Sequence, residues 1–398
     1  MKRRQLLQAG LAGVGATGAS WWAIGTALSG CKGSSKKTPI ETPTDFGVLL
    51  DPDALGLKLP QGFSARIVAQ SSTKPSTNSE YVWHRSPDGG AVFAASDGGW
   101  IYVSNCEETR GGVGALRFDV NGNVVDAYSI LSGTINNCAG GATPWGTWLS
   151  CEEIPAGRVW ECDPSGQSAA IVRPALGRFT HEAVAVDPDT MILYLTEDVP
   201  DGRFYRFVPT TRDASSADLS AGQLEVASVD GTGHVSWLAV PDPTGAGTPT
   251  RLQVSQSTAF NGGEGICCGE NELFFSTKGD DRVWRYDTND ETIQAIYDPT
   301  TASNPQLSGV DNVTLSPSGK VLVAEDGGDM QIVAVDLDGT TAPIVQVVGQ
   351  RGSEITGPAF DPSGTRLYFS SQRGLNEFER FGITYEVTGP FDRLGSSD

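Results

Sequence analysis

The sequence predicts an all-β chain folded as a single six-bladed β-propeller, and three observations predict it. A β-rich strand ending in a polar or acidic tip occurs six times. The copies begin 46, 46, 80, 48 and 46 residues apart. Another strand follows each tip, and turn signals such as Asp-Pro-Ser-Gly punctuate several units. Four strands in roughly 46 residues make a propeller blade. A solenoid is the competing architecture, but it wants dedicated end caps, and none is obvious.

The six tips read I-Y-V-S-N-C-E-E (101–108), T-W-L-S-C-E-E (147–153), L-Y-L-T-E-D (193–198), L-F-F-S-T-K (273–278), V-L-V-A-E-D (321–326) and L-Y-F-S-S-Q (367–372). The strands after them lie at 114–119, 158–163, 203–208, 282–287, 331–336 and 383–387. The segment 60–95 is expected to supply strands of the first blade, with C-terminal strands closing the ring. The one long spacing places an insertion or extended loops at about 209–258.

The start of the chain reads differently. Lys2-Arg3-Arg4-Gln5-Leu6-Leu7 is a twin-arginine start, followed by a Gly/Ala-rich apolar run. That run ends in Leu28-Ser29-Gly30-Cys31, a lipobox pattern that makes Cys31 the lipidated N-terminus. A plain membrane anchor is the alternative, but glycines interrupt a stretch already marginal for a span. The expected organisation is a signal over 1–30, a lipidated tether over 31–45 and the propeller over 46–398. Export by the twin-arginine route to the periplasm or cell surface follows. Membrane contact is expected only through the lipid anchor, and the chain is expected to be a monomer.

The formal net charge of −20 over 398 residues excludes nucleic acid and anionic membrane surfaces as partners. Of seven cysteines, Cys31 is assigned to lipid and Cys138 sits in a Gly-rich turn. Cys151 and Cys162 read equally as a hairpin disulfide or as small buried hydrophobes.

In a propeller, equivalent strand ends meet at one mouth of the central channel. The tips send Asn105, Glu107, Glu108, Glu152, Glu153, Glu197, Asp198, Glu325 and Asp326 there. The starts of the inner strands send Cys138, His181, Glu182, Glu264, Asp311 and Asn312. Lys278 is the clear basic exception. So many acids cannot remain ionised and unpaired. Either several are protonated, or cations hold them. Hard oxygen ligands favour Ca²⁺, and a thiolate among carboxylates adds a transition metal, with iron the leading choice. Zinc is disfavoured, because the chain has only three histidines. No Ser-His-Asp order, nucleophile elbow or P-loop stands out. Asp163 and Asp361 belong to turns.

The segment N-N-C-A-G-G-A-T-P-W-G-T-W-L-S-C-E-E (136–153) resembles the PhoX-type alkaline phosphatases. So do S-N-C-E (104–107), F-T-H-E-A (179–183), L-T-E-D (195–198) and E-x-T-G-P (354–358), together with the leader. The resemblance implies a six-bladed propeller carrying a multinuclear iron–calcium cluster that hydrolyses small phosphate monoesters outside the cytoplasm. It implies an iron-ligating thiolate at Cys138 and carboxylate iron ligands at Glu182 and Glu264, the core of the cluster. Glu107, Glu152, Glu153 and Asp198 would be further iron or calcium ligands, and Asp311 a calcium-site acid. Asn105, Glu325 and Asp326 join the candidate metal set from the tip positions. Two departures stand out. The family carries an Arg where this chain has Gly262, and a Gln-His-Pro-Gly motif where it has Gln372-Arg373-Gly374. Lys278, Arg178 and Arg373 are the candidate replacements for a phosphate clamp. A calcium-dependent lactonase-like hydrolase and a non-catalytic propeller with structural metals are the alternative readings.

Overall fold

Six antiparallel sheets follow one another along the chain, each of four or five strands. The computed structural model describes residues 47–393, which lie within one compact unit, Pro43–Asp398. The expected leader, the expected lipidation site Cys31 and the expected tether lie outside the described residues.

Each sheet is a blade. The inner strands are Pro87–Ala94, Asn137–Ala142, His181–Val186, Gly263–Cys268, Val310–Leu315 and Ile355–Phe360. Each packs against the inner strand of the next blade, and the sixth packs against the first, so the ring closes. The second strands are Trp100–Cys106, Trp148–Glu152, Leu193–Glu197, Glu272–Thr277, Val321–Glu325 and Arg366–Ser371. They are rich in aliphatic and aromatic residues and almost wholly buried, because both faces meet a neighbouring blade. That arrangement explains why these strands read as nearly continuous apolar runs.

The core follows the same plan. Six apolar clusters are found among the described residues, and each joins side chains of adjacent blades. Phe204 illustrates the packing. It is fully buried, with Phe275 stacked 4.7 Å away and Trp237, Tyr194, Tyr286 and Phe260 at 5.4–6.1 Å. Truncating such a ring costs about 3–5 kcal/mol.

Ring closure differs from the sequence expectation. Within 60–95 only Pro87–Ala94 joins the first blade. Ser64–Gln70 instead pairs with Ile383–Thr388 as the outer strand of the sixth blade, and Leu57–Lys58 extends the fifth. The first blade already has four consecutive strands, whereas the sixth would otherwise end on an open edge. Arg66 locks this strand by a paired contact to the buried Glu386, at 2.9 and 2.7 Å. The segment about 209–258 is also more regular than expected. Gly222–Val229 and Val235–Ala239 are the fourth and fifth strands of the third blade.

A recurring irregularity prepares the site. In every blade the tip residue pairs with the start of the inner strand: Cys106 with Pro87, Glu152 with Asn137, Glu197 with His181, Thr277 with Gly263, Glu325 with Val310 and Ser371 with Ile355. The ladder then slips by one residue in all six. A β-bulge bends its strand and re-aims a side chain. In the first five blades the residue that opens the bulge is Asp88, Cys138, Glu182, Glu264 or Asp311. Thr356 holds the equivalent place in the sixth, where its hydroxyl donates to the Pro87 carbonyl at 2.7 Å.

In four of these five positions the next residue is Gly or Ala, and only Asp311 is followed by a larger one, Asn312. A Cβ on Gly89 would lie 2.5 Å from the Cα of Ala139, and one on Gly265 2.6 Å from the Cα of Asn312. Acid-then-small is therefore the local signature of these positions.

Candidate metal centre

Two rings of side chains line one mouth of the channel. The bulge ring contains Asp88, Cys138, Glu182, Glu264 and Asp311, with Thr356 completing it. The second ring comes from the residue just beyond each tip: Glu107, Glu153, Asp198, Lys278, Asp326 and Gln372. Glu354, from the loop before the sixth inner strand, joins them. Beneath the bulge ring the channel narrows to a cavity of about 40 Å³ lined by Gly89, Gly140, Gly265 and Gly357.

The ligand-bearing atoms form overlapping groups, each with its atoms within 4.8 Å of one another. One is Cys138, Glu153 and Glu182; a second is Asp88, Glu107 and Glu354. Glu182, Glu264 and Asp311 form a third, and Asp311, Asp326 and Glu354 a fourth. Shared members make these groups one continuous belt. Cys138 Sγ lies 3.3 Å from Glu182 Oε1. Gln372 Nε2 donates to Asp88 Oδ2 at 2.6 Å and to Glu107 Oε2 at 2.9 Å. Asp198 stands beside Gly262, where a Cβ would lie 3.0 Å from its Oδ1.

Few cations answer this charge. Lys278 Nζ lies 3.1 Å from Glu264 Oε1, 3.1 Å from Asp311 Oδ2 and 3.4 Å from Asp326 Oδ2. Arg373 lies 2.6 Å from Glu354 and 3.6 Å from Asp326. Among the described residues, no Lys or Arg forms an ion pair with Glu153, Glu182 or Asp88.

The electrostatic consequence is a set of strongly perturbed acids. Burial, reinforced by neighbouring carboxylates, raises Asp88, Glu182, Glu264 and Glu354 well above the ordinary carboxylate range. Glu107 and Asp311 are raised as well, again chiefly by burial. Glu153 is pushed up to about 8 by burial and then by Asp198 and Glu107. Burial and the charges of Asp88, Glu182 and Glu153 push the Cys138 thiol far up. Burial pulls Lys278 down, but Asp311, Glu264, Asp326 and Glu354 more than offset it and hold the amine charged.

Does this belt fit metal ions? Glu182 is fully buried, and its Oε2 has no hydrogen-bond partner. A buried acceptor without a partner is costly unless a proton or a cation meets it. The donor set beside it is one thiol and several carboxylates, which suits hard cations together with one softer metal. A thiol kept protonated by surrounding acids becomes a thiolate ligand only when a cation offsets them. The residues present therefore fit the group.

The structure separates the candidates named from sequence. Cys138, Glu107, Glu153, Glu182, Asp198, Glu264, Asp311, Asp326, Lys278 and Arg373 come together at the mouth. Glu152 and Glu325 do not. Strand alternation sends successive side chains to opposite sides, so each tip turns away while the next residue turns inward. Glu152 accepts from Ile135 N at 3.3 Å and meets Arg158 at 2.8 Å. Glu325 accepts from Ser308 N and Gln331 N at 3.0 and 2.9 Å. Asn105 supports the site from behind. Its amide donates to the Cys138 and Ala139 carbonyls, and its Oδ1 accepts from Trp148 Nε1 and Ser150 Oγ. Arg178 is exposed and donates to the Ala156 carbonyl, away from the belt.

His181 is buried, with its ring against Phe179 at 3.6 Å and Nε2 3.1 Å from the Gly177 carbonyl. Burial lowers its pKa to about 3, so it is a neutral packing residue. Cys151 and Cys162 are free thiols. Cys151 pairs with Val159 and Trp148 with Cys162, an odd offset that puts the two sulfurs on opposite faces. They sit in different inter-blade clusters, which accounts for the absent disulfide.

Asp88 and Glu354 are site residues that the sequence reading missed. Asp88-Gly89 has the same acid-then-small signature as Glu182-Ala183 and Glu264-Gly265. Ser-Pro-Asp-Gly-Gly reads by composition as a turn, which hid it. Glu354 precedes its inner strand, where no other blade supplies an equivalent acid.

Fold and site together define a six-bladed propeller whose mouth is a buried belt of carboxylates with one thiol. Residues 112–296 match the family model described as alkaline phosphatase PhoX. The chain is similar in structure to Pseudomonas fluorescens PhoX in complex with vanadate, a transition state analogue. The TM-score is 0.69 at 16% identity, covering 87% of this chain and 98% of that one. A structural genomics protein of unknown function from Bacteroides thetaiotaomicron matches with a TM-score of 0.52 at 12% identity, over 82% of this chain and 76% of that one. No curated protein matches the chain in sequence. The resemblance to the PhoX-type alkaline phosphatases thus stands on a sequence match from the third strand of the first blade through the fourth blade, and on the fold of the whole propeller.

Proposed function

We propose that this chain is a metal-dependent phosphomonoesterase whose cations sit in the acidic belt at the propeller mouth. The observation that carries the proposal is the buried Glu182 carboxylate beside Cys138, with Oε2 unpartnered and no ion-pairing Lys or Arg. Cys138, Glu153 and Glu182 would hold the transition-metal ion, with Fe³⁺ the reading carried from the family resemblance. Asp88, Glu107 and Glu354 would hold Ca²⁺. The bound ions would supply positive charge to the phosphoryl oxygens.

The chain's own residues do the rest. The bulges fix the ligands on strands rather than on loops, and Asn105 fixes the backbone that carries Cys138. Gln372 holds Asp88 and Glu107 together at one side. Arg373 and Lys278 add fixed positive charge at the rim, where a phosphate dianion would arrive.

The test is turnover of p-nitrophenyl phosphate by purified, metal-loaded protein, with Cys138→Ala as control. Activity that falls by at least the ~100-fold seen for loss of a supporting metal-site residue agrees with the reading. Equal rates in both proteins contradict it. The proposal includes twin-arginine export and a lipid on Cys31; release of Cys31→Ser from membranes into the soluble fraction is its check.

A further inference from the structure

We propose that Lys278 is a built-in cation, its ammonium group standing in the belt where a divalent ion would otherwise sit. The inference rests on the metal-dependent reading above and sharpens it. One arc of the belt, Glu264, Asp311 and Asp326, is compensated by the protein itself. The arc around Cys138 is left for exogenous ions, and the arc around Asp88 is met in part by Arg373, 2.6 Å from Glu354.

The geometry points to this in three ways. First, Nζ is within 3.1–3.4 Å of one oxygen from each of three carboxylates. Those acids come from two neighbouring blades, so the amine bridges them as a shared cation would. An ammonium group is a compact point charge with three donors, and three acceptor oxygens surround it here. Second, Lys278 stands at the ring position just beyond the tip. There the other blades place Glu107, Glu153, Asp198, Asp326 and Gln372, so this is the one cationic member. Third, the position is built. The Lys278 N–H donates to the Gly262 carbonyl at 2.8 Å, and a short 3₁₀ turn, Lys278–Asp280, holds the backbone. Gly262 has φ +71°, and a Cβ there would come within 3.9 Å of the Lys278 Cβ, so the lysine stem begins over a residue without a side chain.

The opposite arc shows what happens without such a group. Glu182 Oε2 is buried with neither a hydrogen bond nor an ion pair, although Glu182 shares a ligand group with Glu264 and Asp311; Glu264 Oε1 also lacks a hydrogen bond, but Lys278 Nζ lies 3.1 Å from it. The lysine therefore compensates part of the belt and leaves the thiol side uncompensated. It follows that this chain holds fewer exogenous ions than its acids alone would suggest, and that chelation should not empty the Glu264–Asp311–Asp326 arc of positive charge.

Counting metals tests the idea. Wild-type protein and Lys278→Met are saturated with calcium, desalted and analysed by inductively coupled plasma mass spectrometry. The expected result is one more divalent ion per chain in Lys278→Met, with a larger rise in Tm on adding calcium. Equal counts in a folded variant would overturn the inference. Removal of the amine can also block folding, so the wild-type chain supplies a second reading. Lysine acetylation is mapped by mass spectrometry in metal-free and in calcium-loaded protein. Lys278 is expected to be modified equally slowly in both. Faster modification on calcium loading would mean that metal displaces the amine, which also overturns the inference. If wild-type protein holds no metal but Lys278→Met gains one ion, the built-in cation stands and the metal-dependent reading falls. If wild-type protein holds metal and the counts agree, the reverse is true.

Discussion

The two sides of the mouth carry the same kind of acids but neutralise them differently. On the side of the second and third blades, Cys138, Glu153 and Glu182 meet with no ion-pairing Lys or Arg among the described residues. On the side of the fourth and fifth, Glu264, Asp311 and Asp326 close around Lys278. The difference separates two sources of positive charge, one imported and one encoded. A buried carboxylate has to find one or the other, or take up a proton.

The contrast breaks most visibly on substituting one acid from each side in metal-free protein. Burial and neighbouring acids hold the Glu182 carboxyl protonated well above the ordinary carboxylate range, so Glu182→Gln should stabilise the fold as pH rises far enough to ionise a carboxyl that has no compensating cation. Glu264→Gln removes a partner of Lys278 and should destabilise the fold. Each shift is about 1–3 kcal/mol, of opposite sign. Thermal unfolding in chelator reads both, and shifts of the same sign would mean that the two sides do not differ.

The pH dependence sharpens the same comparison. Glu153 is raised from an ordinary 4.5 to about 8 in the folded protein, by burial first and nearby acids second. Between those values the folded form binds more protons than the unfolded chain. Metal-free protein should therefore lose the Glu153 contribution to stability as pH rises from about 4.5 to 8. Bound metal should reverse the trend, because its ligands must be deprotonated to bind. Tm against pH, with and without chelator, is the measurement. A chelated protein that gains stability across the window would contradict the assignment.

The smallest effect is expected at the tips. Glu152→Gln should weaken the contacts to Arg158 and Ile135 N without changing the number of metal ions bound. A metal count that drops with this substitution would place Glu152 back among the ligands.

Much of this was legible in the sequence, for identifiable reasons. The blades were readable because the repeat spacing and turn chemistry restate one unit six times. Cys138, Glu182, Glu264 and Asp311 were readable because each opens an inner strand and precedes a small or short residue. The paired acids misled. Glu152-Glu153 and Glu325-Asp326 look equivalent as dipeptides, yet strand alternation sends only Glu153 and Asp326 inward. That distinction needs the register of the tip with its inner strand. Asp88 carried the right signature inside a segment that composition marks as a turn. Glu354 opened the quoted E-x-T-G-P segment but was not read as a ligand, because no other blade places an acid just before its inner strand. The outer strand Ser64–Gln70 could not be assigned from local pattern, since its partner Ile383–Thr388 lies at the other end of the chain.

The account's central claim is that the belt at the mouth is a metal centre anchored on the thiol side. Elemental analysis of protein purified after its native export tests it most directly, comparing wild type with Cys138→Ala. The account predicts stoichiometric iron and calcium in the wild-type chain, with iron lost in the folded variant. A wild-type chain without stoichiometric metal, or a variant that keeps its iron, would contradict it.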